Sequence, residues 1–136
     1  MKIFLMLFTL LLSLNASDWM TYKQMYYMNK DHLIKKPILV FIGAEHCSYC
    51  KREMDAINKN IEFKQYIVAN FDLVYIDQDN DFVPASLISQ VTPTYTILNP
   101  GSLSKAISQD AYGEIPLKDF ENWLVDFNQK YKEALK

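Results

Sequence analysis

The chain has 136 residues with a formal net charge of −2, half of them hydrophobic and 14% aromatic. That is apolar material for one packed core, too little length for two ordinary domains, and nothing like a disordered or fibrous polymer. Acids and bases are mixed along the chain with no basic stripe, which excludes nucleic acid as an expected partner.

At the N-terminus Lys2 is followed by Ile3 to Leu12, apolar except for Thr9, and then by Ser13-Leu14-Asn15-Ala16. This is the pattern of a secretory signal peptide, with Leu14 and Ala16 at the positions a signal peptidase reads and cleavage after Ala16. The run is shorter than the ~20 residues of a membrane span, so no stable membrane insertion is expected. An uncleaved anchor is the alternative. Cys47 and Cys50 are the only cysteines, which leaves none for lipid attachment after the apolar run. The predicted plan is a signal at 1–16 and one domain at 17–136, exported, with the periplasm as its expected place.

Trp19, Tyr22, Tyr26 and Leu33, widened by Met25 and Met28, recur at helical steps and predict an amphipathic helix over 18–33. Lys35-Lys36-Pro37 ends it, because a residue before proline avoids helical geometry. Ile38-Leu39-Val40-Phe41-Ile42 is a continuous apolar run between Pro37 and Gly43, which predicts a strand buried on both faces. After Gly43-Ala44-Glu45-His46, the segment Cys47-Ser48-Tyr49-Cys50 opens a helix, which Asn60 is expected to break and restart by capping. A strand follows over 71–76. The acidic run 77–81 lacks the glycine and terminal glutamate of an EF-hand and reads as a solvated loop. A short helix is expected over 83–90 with Pro84 in its first turn, then strands over 95–98 and 106–112 around the Asn99-Pro100-Gly101-Ser102 turn. The last helix begins at Pro116, with Leu117, Phe120, Leu124, Phe127 and Tyr131 along one face. The predicted order is α-β-α-β-α-β-β-α. Strands joined through helices should pair in parallel, and the last two, joined by a turn, antiparallel.

Exported proteins sit where disulfides persist, and a secreted disulfide scaffold carries four or more cysteines. Two cysteines separated by two residues close too short a loop to staple a fold, which points to redox chemistry or metal binding. At a helix start the first sulfur lies beside unpaired N–H groups and the positive end of the helix dipole. Both favour a thiolate, so Cys47 is expected to be the exposed nucleophile. Cys50, one turn in and shielded, is expected to resolve the mixed disulfide formed on Cys47.

From about Lys36 to Trp123 the chain resembles the thioredoxin superfamily. The resemblance rests on Pro37-Ile38-Leu39-Val40-Phe41, Ala44-Glu45-His46-Cys47-Ser48-Tyr49-Cys50-Lys51, Tyr75-Ile76-Asp77, Val91-Thr92-Pro93-Thr94 and Gly113. The interval from the cysteines to Thr92-Pro93 is ordinary for that family. It implies an α/β thioredoxin-like fold with a mixed central sheet flanked by helices, to which helix 18–33 would be an extra N-terminal element. It also implies a cis Pro93 beside the first cysteine, with the Thr92 backbone offered to an extended client segment. Two departures are visible. Thioredoxins place Gly-Pro between the cysteines, where Ser48-Tyr49 stand here; a tyrosine at that place is similar to periplasmic disulfide isomerases and several exported reductases. Thioredoxins also bury an aspartate and an accompanying lysine where Phe41 and Leu73 stand, so the usual internal proton acceptor is missing. Glu45 either replaces it through water or is a plain surface residue. His46, when protonated, would further stabilise a Cys47 thiolate.

The expected activity is thiol–disulfide exchange with exported proteins that carry cysteines or disulfides, as reductase or isomerase, without a cofactor. A monomer recharged by a membrane thiol donor fits the size. The rival reading is a copper(I)- or zinc-binding module using Cys47, Cys50 and His46. A non-catalytic interaction domain is the third. His32 reads as helix surface, and the methionines read as core filler rather than a copper site.

Overall fold

Ile38–Gly43 is buried along its whole length, the property its uninterrupted apolar run predicts, and it is the centre around which the other elements are laid. The computed structural model of the chain describes residues 18–136, so the expected signal segment at 1–16 lies outside the described residues. In chain order the elements are β1 (Trp19–Met20), α1 (Tyr22–Lys30), β2 (Ile38–Gly43), α2 (Ser48–Lys59), α3 (Ile61–Asn70), β3 (Asp72–Asp77), β4 (Thr94–Asn99), β5 (Ser102–Ala106), β6 (Ala111–Tyr112) and α4 (Leu117–Ala134). The sheet order is β1-β3-β2-β4-β5, with β6 also paired to β4. Strands β1 and β2 both run parallel to β3. Strand β4 is antiparallel to β2 and to β5.

Side chains alternate across the sheet with period two. On one face Leu39, Phe41, Leu73, Tyr95 and Ile97 pack with Cys50 and Ile57 of α2, Phe63 and Ile67 of α3, and Phe120 and Leu124 of α4. On the other, Ile38, Val40, Ile42, Val74 and Ile76 pack against Met25 of α1. Phe41 anchors the first face, with ring centroids 4.9 Å from Tyr95 and 5.3 Å from Tyr75, and Tyr95 in turn is 4.3 Å from Phe120. Asn60 separates α2 from α3 as expected: its Oδ1 accepts the Phe63 N–H at 3.0 Å, and its own N–H closes α2 on Ala56 O.

Several expectations are corrected. The helix over 18–33 is shorter, and it is not confirmed as an extra element. Trp19 and Met20 instead form a strand in register with Leu73 and Val74, and Thr21 starts the helix through a reciprocal capping box with Gln24. Beyond Lys30 the chain turns at His32, whose φ of 58° is left-handed. The strand over 95–98 is present as β4 but does not join the sheet in parallel. The short helix expected over 83–90 does not form to carry the chain back; only a 3₁₀ turn at Ala85–Leu87 does. Gln78 holds the end of this segment instead: its side chain accepts the Ser89 N–H, which a helix would direct to Ala85 O, and donates to Ser89 O, both at 2.9 Å. The strand expected over 106–112 is divided into β5 and β6. Between them Ile107 N bonds Ile97 O and the Ser108 hydroxyl receives the Ile97 N–H, so a side chain substitutes for a rung of the ladder. No helix among the described residues is long and apolar enough to cross a membrane.

Candidate active site

Strand β2 ends at Gly43, where a Cβ would lie 2.7 Å from the Tyr75 hydroxyl. Any larger residue there would have to displace the Tyr75 ring, and the chain then leaves the sheet for the loop that carries the cysteines. Glu45 N bonds the Asp79 carboxylate at 3.0 Å, which ties that loop to the acidic run after β3. The run is a closed turn: Asp77 N bonds Asp81 and Asp79 N bonds Asp77, so its carboxylates satisfy its own backbone.

Cys47 is the N-cap of α2, with extended backbone, and its Sγ accepts the Cys50 N–H at 3.1 Å. The two cysteines are joined as a disulfide with Cα atoms 5.2 Å apart. Cys47 is 8% exposed and Cys50 2%. Cys47 is therefore not the exposed residue the sequence predicts. Its sulfur is folded back over the helix end to meet Cys50, although it remains the more open of the two.

The other expected site residues divide. His46 and Tyr49 are exposed on either side of the first cysteine. The Arg52 guanidinium lies 4.5 Å over the Tyr49 ring and pairs with Glu114 at 3.2 Å, so an aromatic face is held at the rim. Glu45 is exposed, its carboxylate 3.5 Å from Asn80 Nδ2, the position of the surface alternative rather than of an internal proton acceptor. Thr92 is half-buried and Pro93 buried, and the bond between them is cis. Thr94 pairs with Ile42, so Thr92-Pro93 and the cysteine loop leave the sheet at the same end. Among the described residues no three His, Cys, Asp or Glu side chains come together to hold a metal ion.

Two features escaped the sequence reading. The first is a hydroxyl network behind Thr92-Pro93. Thr94 Oγ1 donates to Val91 O at 2.5 Å and meets Ser89 Oγ at 2.8 Å, while Val91 N bonds Ser89 Oγ at 3.2 Å. Gly113, with φ of 77°, completes the support by donating its N–H to Pro93 O at 2.7 Å. The second is Glu53 on α2, only 3% exposed. Its carboxylate accepts the Ile115 N–H. Burial raises its pKa, with a smaller push from Glu114 and an opposing pull from the Ile115 and Tyr95 donors. The buried Tyr95 hydroxyl forms no hydrogen bond of good geometry, and burial beside the Glu53 charge drives its pKa upward.

A mixed sheet between helices, a cysteine pair at the start of the helix after its central strand, and a Thr-Pro at the same sheet end define a thioredoxin-like protein. The family description "Thioredoxin-like domain" matches residues 32–128, and the chain belongs to that family. Among solved structures it is similar to a thioredoxin-fold protein from Helicobacter pylori, at 23% identity over 71% of this chain and 72% of that one, with a TM-score of 0.56. A thioredoxin from Thermus thermophilus matches at 19% identity over 80% and 85%, with a TM-score of 0.59. One from Nicotiana alata matches at 21% over 82% and 94%, with a TM-score of 0.58. At these identities the likeness establishes the fold. A comparison with curated proteins found no match. Family membership together with the Cys47–Cys50 pair makes the chain a thiol–disulfide oxidoreductase.

Proposed function

We propose that the chain is an exported thiol–disulfide oxidoreductase that reduces or isomerises disulfides in exported proteins and is recharged by a membrane thiol donor. The observation that carries this reading is the Cys47–Cys50 disulfide at the N-terminus of α2, with Cys50 the deeper sulfur. In the reduced protein the Cys47 thiolate, favoured by the helix end, attacks a client disulfide and releases one client thiolate. Cys50 then gives up its proton and attacks Cys47 Sγ. The bond between Cys47 and the client breaks, the second client sulfur leaves as thiolate and is protonated, and Cys47–Cys50 is left oxidised. Two electrons pass from the cysteine pair to the client. Thr92 and Pro93 are the expected docking strip, with the Thr92 backbone pairing with an extended client segment. The lean toward reductase or isomerase rests on the resemblance at Tyr49, and the signal pattern at 1–16 supports export.

Cys50→Ser should accumulate clients as mixed disulfides on Cys47, and Cys47→Ser should trap few. Equal trapping by both variants refutes the assigned roles. The in-cell redox state tests direction: a mostly reduced pair supports a reductase, a mostly oxidised pair an oxidant. Stoichiometric zinc or copper in protein purified under reducing conditions, with exchange absent, would favour the metal-binding module instead.

A further inference from the structure

The resolving step requires Cys50 to lose a proton, and Cys50 is 2% exposed. Its neighbours across the sheet face are apolar or aromatic: Phe41, Tyr95 and Phe120 belong to the same core cluster. Glu53 is the only buried carboxylate among the described residues. It leaves α2 three residues after Cys50, so the two side chains share one helix face about 5–6 Å apart at Cβ. Its carboxylate is fixed by the Ile115 N–H and lies beside the Tyr95 hydroxyl, whose ring packs in the cluster that contains Cys50.

We propose that Glu53 is the internal proton acceptor for Cys50 in the resolving step, held in place by Ile115. The proposal rests on the exchange reading and adds a residue to it. The thiol of Cys50 passes its proton to the Glu53 carboxylate as its sulfur attacks Cys47. The departing client thiolate then takes a proton back from Glu53 or from water. Burial suits the task, because it raises the carboxyl above its ordinary value and so makes the carboxylate a better proton acceptor than one in water.

The surrounding charges define the alternatives. Glu53 is faced by Tyr95 from β4 and by Glu114, itself paired with Arg52, from the segment before α4. Cys50 also borders a cleft of about 610 Å³ whose charged groups are Glu45, Lys51, Asp55 and Asp77. That cleft is the competing route, in which cleft water takes the proton and Glu53 only holds Ile115.

A small aryl disulfide whose released thiolate is coloured separates the two routes. Mixed with reduced protein, it gives a first phase from Cys47 attack and a second from Cys50 attack. Glutamine at 53 keeps an oxygen for the Ile115 N–H and loses the titration. Glu53→Gln should leave the first phase unchanged. It should slow the second on the order of 10²-fold at neutral pH and remove a limb from its pH profile. A second phase within about twofold of wild type with an unchanged profile overturns the proposal in favour of the cleft. If Glu53→Gln does not fold, the wild-type profile decides. A second phase that follows a single thiol titration near the ordinary ~8.5 overturns the proposal, and an added limb below it supports it. Absence of both phases in wild type defeats the exchange reading itself.

Discussion

Replacing Thr94 by valine exchanges one buried hydroxyl for a methyl group of nearly the same shape, directly behind Thr92-Pro93. Thr94 is 1% exposed. Its hydroxyl makes two contacts, to Val91 O and to Ser89 Oγ. A hydrogen bond of this kind contributes about 1 kcal/mol net, and a buried partner left unmet costs about 1–3 kcal/mol. The losses here sit near the lower end. Val91 lies at the surface, where water can reach its carbonyl, and Ser89 Oγ keeps the Val91 N–H. The added methyl group offsets a further part. The expected loss is therefore about 1–2 kcal/mol, or a fall in Tm of roughly 3–10 °C for a domain of this size. Urea unfolding followed by tryptophan fluorescence measures it, with an unchanged slope showing that the unfolded state is unaltered. Function should change in a particular way. The KM for an extended peptide disulfide should rise, because the docking strip loses its backing, while alkylation of reduced Cys47 by a small reagent keeps its rate. A stability change under about 0.5 kcal/mol with an unaltered KM refutes the reasoning, since it would place Thr94 among ordinary tolerant positions.

After reduction, Cys47 should alkylate much faster than Cys50, given exposures of 8% and 2%; equal rates count against the nucleophile assignment. Glu53 has a folded pKa raised above 4.5, so its stabilising contribution is complete below that value and is lost as pH rises through the folded pKa. The stability of wild type relative to Glu53→Gln should accordingly fall across that window, and a flat difference would show that the carboxyl is not perturbed. Gly113→Ala should cost about 1–2 kcal/mol through its left-handed backbone, with Gly113→Asn losing less; calorimetry decides, and equal loss by both variants would discount the backbone explanation. Asn60→Ala should cost about 1 kcal/mol by uncapping α3, visible as faster amide exchange at Phe63 if the cap acts as described.

What could be read along the chain was whatever depends on near neighbours. The run 38–42 declares β2 because five apolar residues in a row suit a strand covered on both faces. Asn60 declares the break between α2 and α3 because its cap partner is three residues away. The cysteine spacing and the helix after it narrowed the pair to redox chemistry or metal binding, and the resemblance that includes Thr92-Pro93 favoured the first. The two-residue strand β1 was hidden, since Trp19 and Tyr22 also fit a helical step and only pairing with β3 selects the strand. The antiparallel course of β4 was equally hidden, because it is set by pairing with β2, and the segment before it is held at Ser89 by Gln78, eleven residues away. Glu53 reads as one more polar residue in Lys51-Arg52-Glu53-Met54-Asp55. Its burial exists only because Ile115, 62 residues away, supplies the N–H that satisfies it and Tyr95 closes over it. The reactive pair is thus local, whereas the groups that hold Pro93 and Glu53 in place, Gly113 and Ile115, come from residues distant in the chain. Their hydrogen bonds form only once the sheet and helices have excluded water from between them.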